Sequence, residues 1–248
     1  MDNSKALGEY MSTVLITGAG KRLGRAMAIH LSQRGFNIAI HYNSSQKEAL
    51  EVRDICIKNG VKSEIFKYDL SRYRGAESLI ESVYKRFRDL EILINSASVF
   101  IRSHTKETDI ETFENNLNIN FSSPFFLTKG FTSLVSKGSI INILDTKVSF
   151  YHDAYSSYSI SKKMLYEFTK LSALEFAPNI RVNGIAPGTI LPPNGVDEEY
   201  MERLLNKVPL KRKGEVEDIL KSVDFLIEST FITGQTIFVD GGENIKGY

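Results

Sequence analysis

The chain has 248 residues, 42% hydrophobic and 25% charged, with a formal net charge of +1, an ordinary balance for a globular protein with a sizeable core. It offers no electrostatic case for nucleic acid or an acidic membrane surface, and no apolar run approaches the length of a membrane span. One cysteine, Cys56, excludes an intrachain disulfide and, with no secretory signal at the N-terminus, suits a reducing cytoplasm; the histidines at 30, 41, 104 and 152 show no metal-ligand spacing.

Residues 1–11 read as a polar leader ahead of one domain at 12–248. Val14-Leu15-Ile16 is a short apolar strand that breaks into Thr17-Gly18-Ala19-Gly20-Lys21-Arg22-Leu23-Gly24. Leu23, Met27 and Leu31 then recur by fours, a helical pattern ended by Gly35. A second strand, Phe36–Ile40, completes a βαβ unit. Helices are predicted over 47–59, 75–88, 111–135, 155–177, 197–206 and 215–228, with strands over 64–68, 90–94, 139–144, 180–185 and 236–239. Seven apolar strands alternating with helices predict a single α/β domain, a doubly wound Rossmann-type fold on a seven-stranded parallel sheet.

A glycine-rich turn between first strand and first helix points backbone N–H groups at an anion, the arrangement of a dinucleotide site. A binder of unphosphorylated NAD places an acid at the end of the second strand. Here that segment is His41-Tyr42-Asn43-Ser44-Ser45, with no Asp or Glu from Arg25 to Lys47, and Lys21 and Arg22 lie in the facing turn. Missing negative charge, nearby cations and small hydroxyls fit a 2′-phosphate, so NADPH is expected. The competing reading makes Lys21 and Arg22 solvated loop charges.

Tyr158 and Lys162 stand one helical turn apart and share a face. A lysine cation there is expected to lower the phenol pKa and make it a usable proton donor. Asp145 closes the apolar run Ile140–Leu144 and could reach the same centre. Tyr166 and Lys170 have the same spacing, and the pattern alone does not choose between the pairs.

Thr17-Gly18…Gly24, Asp69-Leu70, Asn95-Ser96-Ala97-Ser98, Asn120 within Asn118–Pro124, Tyr158…Lys162, Pro187-Gly188 and Val239-Asp240-Gly241-Gly242 together resemble the short-chain dehydrogenase/reductase family over essentially the whole chain from Met11. The resemblance selects Tyr158–Lys162 over Tyr166–Lys170 by its distance from the fifth strand. It implies cofactor contacts at Gly18, Lys21, Arg22, Leu23, the segment His41 to Ser45, Asp69 and Leu70 at the adenine, Asn95, Ser96, Ala97, Lys162, Pro187, Gly188 and Ile190. It also implies that Lys162 holds the nicotinamide ribose and that Asn120 helps hold Lys162, through a water or a backbone group. A homotetramer pairing the two long helices is implied as well.

Where most of the family has a serine, this chain has Asp145; where most have a glycine, it has Arg22. With the H-Y-x-x-S stretch and Phe100, these departures are similar to pteridine and dihydromonapterin reductases. That implies a small-molecule substrate, a pterin ring stacked on Phe100, with Ser98, Asp145 and Tyr158 also touching it. Asp145 would share a proton with Tyr158 and pass it to a ring nitrogen. The alternative is a carbonyl reductase such as a 3-oxoacyl-carrier-protein reductase; a non-catalytic nucleotide sensor is a third reading. Loop 190–206 is expected to decide which side chain the substrate carries.

Overall fold

The computed structural model describes residues 12–191 and 198–246. The polar leader and residues 192–197 of the loop expected to choose the substrate side chain therefore lie outside the described residues. Seven strands, β1 (Thr13–Ile16), β2 (Asn37–Tyr42), β3 (Ser63–Lys67), β4 (Leu90–Asn95), β5 (Gly138–Ile143), β6 (Ile180–Pro187) and β7 (Thr236–Val239), form one parallel sheet in the order β3-β2-β1-β4-β5-β6-β7. Alternate residues of each strand feed opposite faces. Val14, Ile16, Ile38, Ile40, Ile92, Ile94, Ile141 and Ile143 pack against α1 (Arg22–Gln33), α2 (Gln46–Lys58) and α8 (Val216–Glu228). Leu15, Ala39, Leu93, Ile140 and Val182 pack against α3 (Glu77–Arg86), α5 (Ser123–Leu134) and α6 (Ser156–Glu175). Burial on both faces is why the central strands read as largely apolar runs.

The strand order reverses between β1 and β4, so the crevice beyond their carboxyl ends is where a ligand fits this topology. The connection from β1 is very tight. A Cβ on Gly24 would sit 2.4 Å from the carbonyl oxygen of Gly18, and Gly18 itself has φ +67°. Only glycine lets the turn and the first turn of α1 touch this closely. α1 ends as expected, with Gly35 at φ +91° just past it.

The helix predicted over 111–135 is one helical stretch in three parts. α4 (Ile110–Leu117) runs into a π-helical turn, Asn118–Ser122, and then α5. A wider turn of this kind rotates side chains out of the regular register. It carries Asn120 into full burial, where its amide is held by Val99 and Ser161. Periodicity cannot reveal such a turn, because the residues around it keep a helical pattern. α7 (Glu198–Lys207) and a short α9 (Glu243–Lys246) complete the described α-helices. Among the described residues no helix is long and apolar enough to cross a membrane, and none form a metal-binding cluster.

Candidate active site

A cleft of about 710 Å³ opens at the carboxyl ends of the central strands. It brings together Gly18, Lys21, Arg22, Leu23, the segment His41 to Ser45, Leu70, Ser96, Ala97, Ser98, Phe100, Asp145, Tyr158, Lys162, Pro187, Gly188 and Ile190. Three expected residues, Asp69, Asn95 and Asn120, are not among those lining it.

β5 delivers Asp145 just past its end, and α6 delivers Tyr158 from its first turn. The Tyr158 hydroxyl donates to Asp145 Oδ2 at 2.7 Å. The other carboxylate oxygen, Oδ1, accepts the Lys147 backbone N–H at 2.8 Å. Lys162 Nζ donates to the Ile143 carbonyl at 2.8 Å, tying α6 to β5. The expected direction of the tyrosine shift is overturned. Burial, then the neighbouring Asp145 carboxylate that accepts its proton, push the Tyr158 phenol well above its usual range. Lys162 does not reverse this: its Nζ is bound to a carbonyl and lies 6.0 Å from the ring centre. Its own pKa is pulled down to about 8 by burial, against the pull of Asp145. Tyr158 is therefore a neutral acid held by a carboxylate, not a standing phenolate. Tyr166 and Lys170 pack on each other, Nζ 3.8 Å from the ring centre, with Lys170 paired to Glu167, away from the cleft.

Phe100 is 45% exposed. Its ring stacks on Tyr155 at 4.5 Å and 15°, and meets Tyr158 edge-on at 4.7 Å and 83°. It thus stands as an aromatic wall beside the tyrosine. Ser98, in the same lining, donates to Asn120 Oδ1 at 3.0 Å.

The three residues outside the cleft each have a physical reason to be elsewhere. Asn120 uses its side chain to clamp the β4 exit: Oδ1 accepts from Val99 N, and Nδ2 donates to Val99 O and Ser161 Oγ. It makes no side-chain bond to Lys162. Asn95 is buried and donates to Asn142 at 2.8 Å, which in turn donates to Thr169. Asp69 accepts from Ser71 and, at 3.4 Å, from Asn43, so it stands one step behind the lining.

The cofactor end also departs from expectation. Lys21 is paired at 2.8 Å with Glu48, a carboxylate one residue beyond the acid-free window. Arg22, at φ +50°, donates to the Leu191 carbonyl at 3.3 Å. His41 lines the cleft, but both its ring nitrogens face the protein. Nδ1 accepts the Gly18 N–H at 3.0 Å, and Nε2 donates to the Tyr68 carbonyl at 3.0 Å. Its imidazole props the glycine turn against β3 and offers no proton to a ligand.

Sequence reasoning passed over Lys147, Tyr155 and His152, all in the lining. Lys147 lies two residues after Asp145 and Tyr155 three before Tyr158, so the signal was their proximity to residues already chosen.

A sequence model for a family described as Enoyl-(Acyl carrier protein) reductase matches residues 18–244. The chain is 29% identical to glucose 1-dehydrogenase 2 of Bacillus subtilis, across 93% of both chains. It is 28% identical to the 3-oxoacyl-[acyl-carrier-protein] reductase FabG of Staphylococcus epidermidis, across 93% of this chain and 98% of that one. Among solved structures it is similar to FolM alternative dihydrofolate reductase 1 of Brucella suis in complex with NADP, with a TM-score of 0.89, 30% identity, and coverage of 94% and 95%.

The His41 bridge has a measurable pH signature. Burial lowers its pKa from 6.5 to about 4. Between those values the unfolded chain binds a proton that the folded chain does not, so its contribution to stability is complete above pH 6.5 and is lost as pH falls towards 4. The loss from this site is about 2 kcal/mol by pH 5. Urea denaturation at pH 7 and pH 5 should show a drop smaller by that amount in His41→Gln than in the wild type. Equal drops would contradict the bridge.

Proposed function

The chain belongs to the short-chain dehydrogenase/reductase family, and on that premise we propose that it is an NADPH-dependent reductase of a pterin-like substrate, converting a dihydropterin to a tetrahydropterin. One observation carries the reading: a carboxylate, Asp145, is hydrogen-bonded to the Tyr158 hydroxyl beside an exposed aromatic face, Phe100.

The cofactor end fits NADPH by its donor set. The Gly18–Gly24 turn would hold the diphosphate, with no room for a Cβ at Gly24. Arg22, Asn43, Ser44 and Ser45 would receive the 2′-phosphate. The carboxylates among the described lining residues are Asp145 and Glu243, and neither belongs to that segment. Lys21, paired with Glu48, lies in the same turn as Arg22. Tyr155 backs Phe100, so a flat ring laid on that wall meets a rigid pair of rings. Lys162, anchored on Ile143, would hold the nicotinamide ribose. When bound, NADPH supplies the hydride.

The chain's own work is to deliver a proton. Reduction of a ring C=N places hydride on carbon and requires a proton on nitrogen. The Tyr158–Asp145 pair, whose buried phenol holds its proton tightly, gives it up to a basic nitrogen that approaches the shared oxygen pair. A ketone oxygen needs only a hydroxyl there. The similarity to a 3-oxoacyl-[acyl-carrier-protein] reductase supports a second reading, carbonyl reduction, which differs in making Asp145 dispensable.

The name of the structural neighbour, an alternative dihydrofolate reductase, supports the pterin reading. NADPH oxidation with dihydrobiopterin, dihydromonapterin, dihydrofolate and acetoacetyl thioesters tests it. The wild type should prefer the dihydropterins, and Asp145→Asn and Tyr158→Phe should each lower kcat about 10²–10⁴-fold. Faster turnover of thioesters, with Asp145→Asn active, would favour the carbonyl reading.

The assembly is also part of the proposal. Ile160, Met164, Leu171 and Leu174 form one exposed apolar stripe along α6, and the half-exposed Phe125 of α5 packs on Phe168 of the same helix. Copies of the chain would cover this face in a homotetramer. Light scattering should give four times 28.0 kDa, and Leu171→Glu should reduce it. A monomer mass for the wild type would contradict the assignment.

A further inference from the structure

We propose that Lys147 is a positioning residue for proton transfer: it holds the far oxygen of Asp145 and supplies the second counter-charge that the Tyr158–Asp145 pair needs once its proton has left. The inference rests on one part of the functional reading, that this pair is the proton source.

The two oxygens of Asp145 have separate partners. Oδ2 accepts the Tyr158 hydroxyl at 2.7 Å; Oδ1 accepts the Lys147 backbone N–H at 2.8 Å and faces Lys147 Nζ at 3.5 Å. Lys147 thereby prevents the carboxylate from rotating away from the tyrosine. The charge balance gives it a larger role. When Tyr158 releases its proton, the O–H bond breaks, its electron pair stays on the phenol oxygen, and a new N–H bond forms on the substrate, whose ring carbon is reduced by the hydride that bound NADPH would supply. A phenolate then faces a carboxylate across a short hydrogen-bond distance, in a site where like charges repel strongly. A proton from solvent later restores the pair.

Two cations flank those two anions. Lys162 stands on the tyrosine side, bound to the Ile143 carbonyl. Lys147 stands on the aspartate side, with its side chain only 19% exposed, so its field is poorly screened. Its Nζ also lies 5.5 Å from the Phe100 ring centre, between the acid and the aromatic wall. Besides the Tyr155 phenol stacked on Phe100, that wall includes His152. Burial and then the Lys147 cation lower its pKa, so at neutral pH the imidazole leaves the positive charge to Lys147.

Lys147→Met removes the charge and keeps the length; Lys147→Arg keeps the charge. With dihydrobiopterin and NADPH, Lys147→Met should lower kcat about 10- to 100-fold. KM for both ligands should stay near the wild-type values, with a larger solvent deuterium isotope effect on kcat. Lys147→Arg should recover most of the rate. Unchanged kcat in Lys147→Met, a raised KM alone, or equal loss in both variants would overturn the proposal. If the wild type reduces acetoacetyl thioesters and not pterins, the pterin reading fails. The Lys147 claim is then decided by the same variants on the thioester, because protonating an alkoxide leaves the same two anions. A wild type inert toward both would overturn both readings.

Discussion

The hydrogen bond from Tyr158 to Asp145 is the interaction around which this site is arranged. It requires that β5 stop where it does, that α6 begin where it does, and that the twelve residues between them turn back within the cleft. Lys162 enforces the last condition from within, since its ammonium is tied to the carbonyl of Ile143 at the end of β5. Helix and strand are thereby locked at the point where the acid and the phenol meet. The consequence is a phenol that keeps its proton firmly, in contrast to a tyrosine activated mainly by a lysine.

The opposite end of the cleft is organised by a comparable economy. The glycine turn is fixed from two sides: Gly24 packs on Gly18, and His41 receives the Gly18 N–H while giving its own N–H to β3's exit. A buried neutral imidazole thus takes a structural place in a segment whose neighbours, Asn43 to Ser45, remain open to a ligand. Lys21 is tied to Glu48, while Arg22 donates to the carbonyl of Leu191, another lining residue. Selection for a phosphorylated cofactor would then rest on Arg22 and on hydroxyl and amide donors.

The sheet was legible because its central strands, buried on both faces, are largely apolar, and the first helix showed its period in Leu23, Met27 and Leu31. The cleft was legible because glycine spacing and the Asp145–Tyr158–Lys162 trio are local patterns. Long-range pairings left no local trace. Nothing near Lys21 announced Glu48, which meets it through the packing of α2 on α1. Asn95, Asp69 and Asn120 sit where the family pattern puts them, yet their side chains are spent on Asn142, Ser71 and Val99. Spacing identifies a position and says nothing about which way its side chain turns. The direction of the Tyr158 shift failed for a related reason: the sequence displays the lysine four residues away and hides the cost of burial.

The chain is 28% identical to a 3-oxoacyl-[acyl-carrier-protein] reductase and 30% identical to an alternative dihydrofolate reductase, so the fold alone does not choose a substrate. The distinguishing chemistry is an acid where a hydroxyl would serve a ketone. Replacing Asp145 with Ser, and measuring kcat/KM for dihydrobiopterin and for an acetoacetyl thioester in both enzymes, tests this most directly. The account predicts that the ratio of pterin to thioester turnover falls by about 10²-fold or more while thioester turnover is kept or gained. A ratio unchanged by the substitution would contradict it.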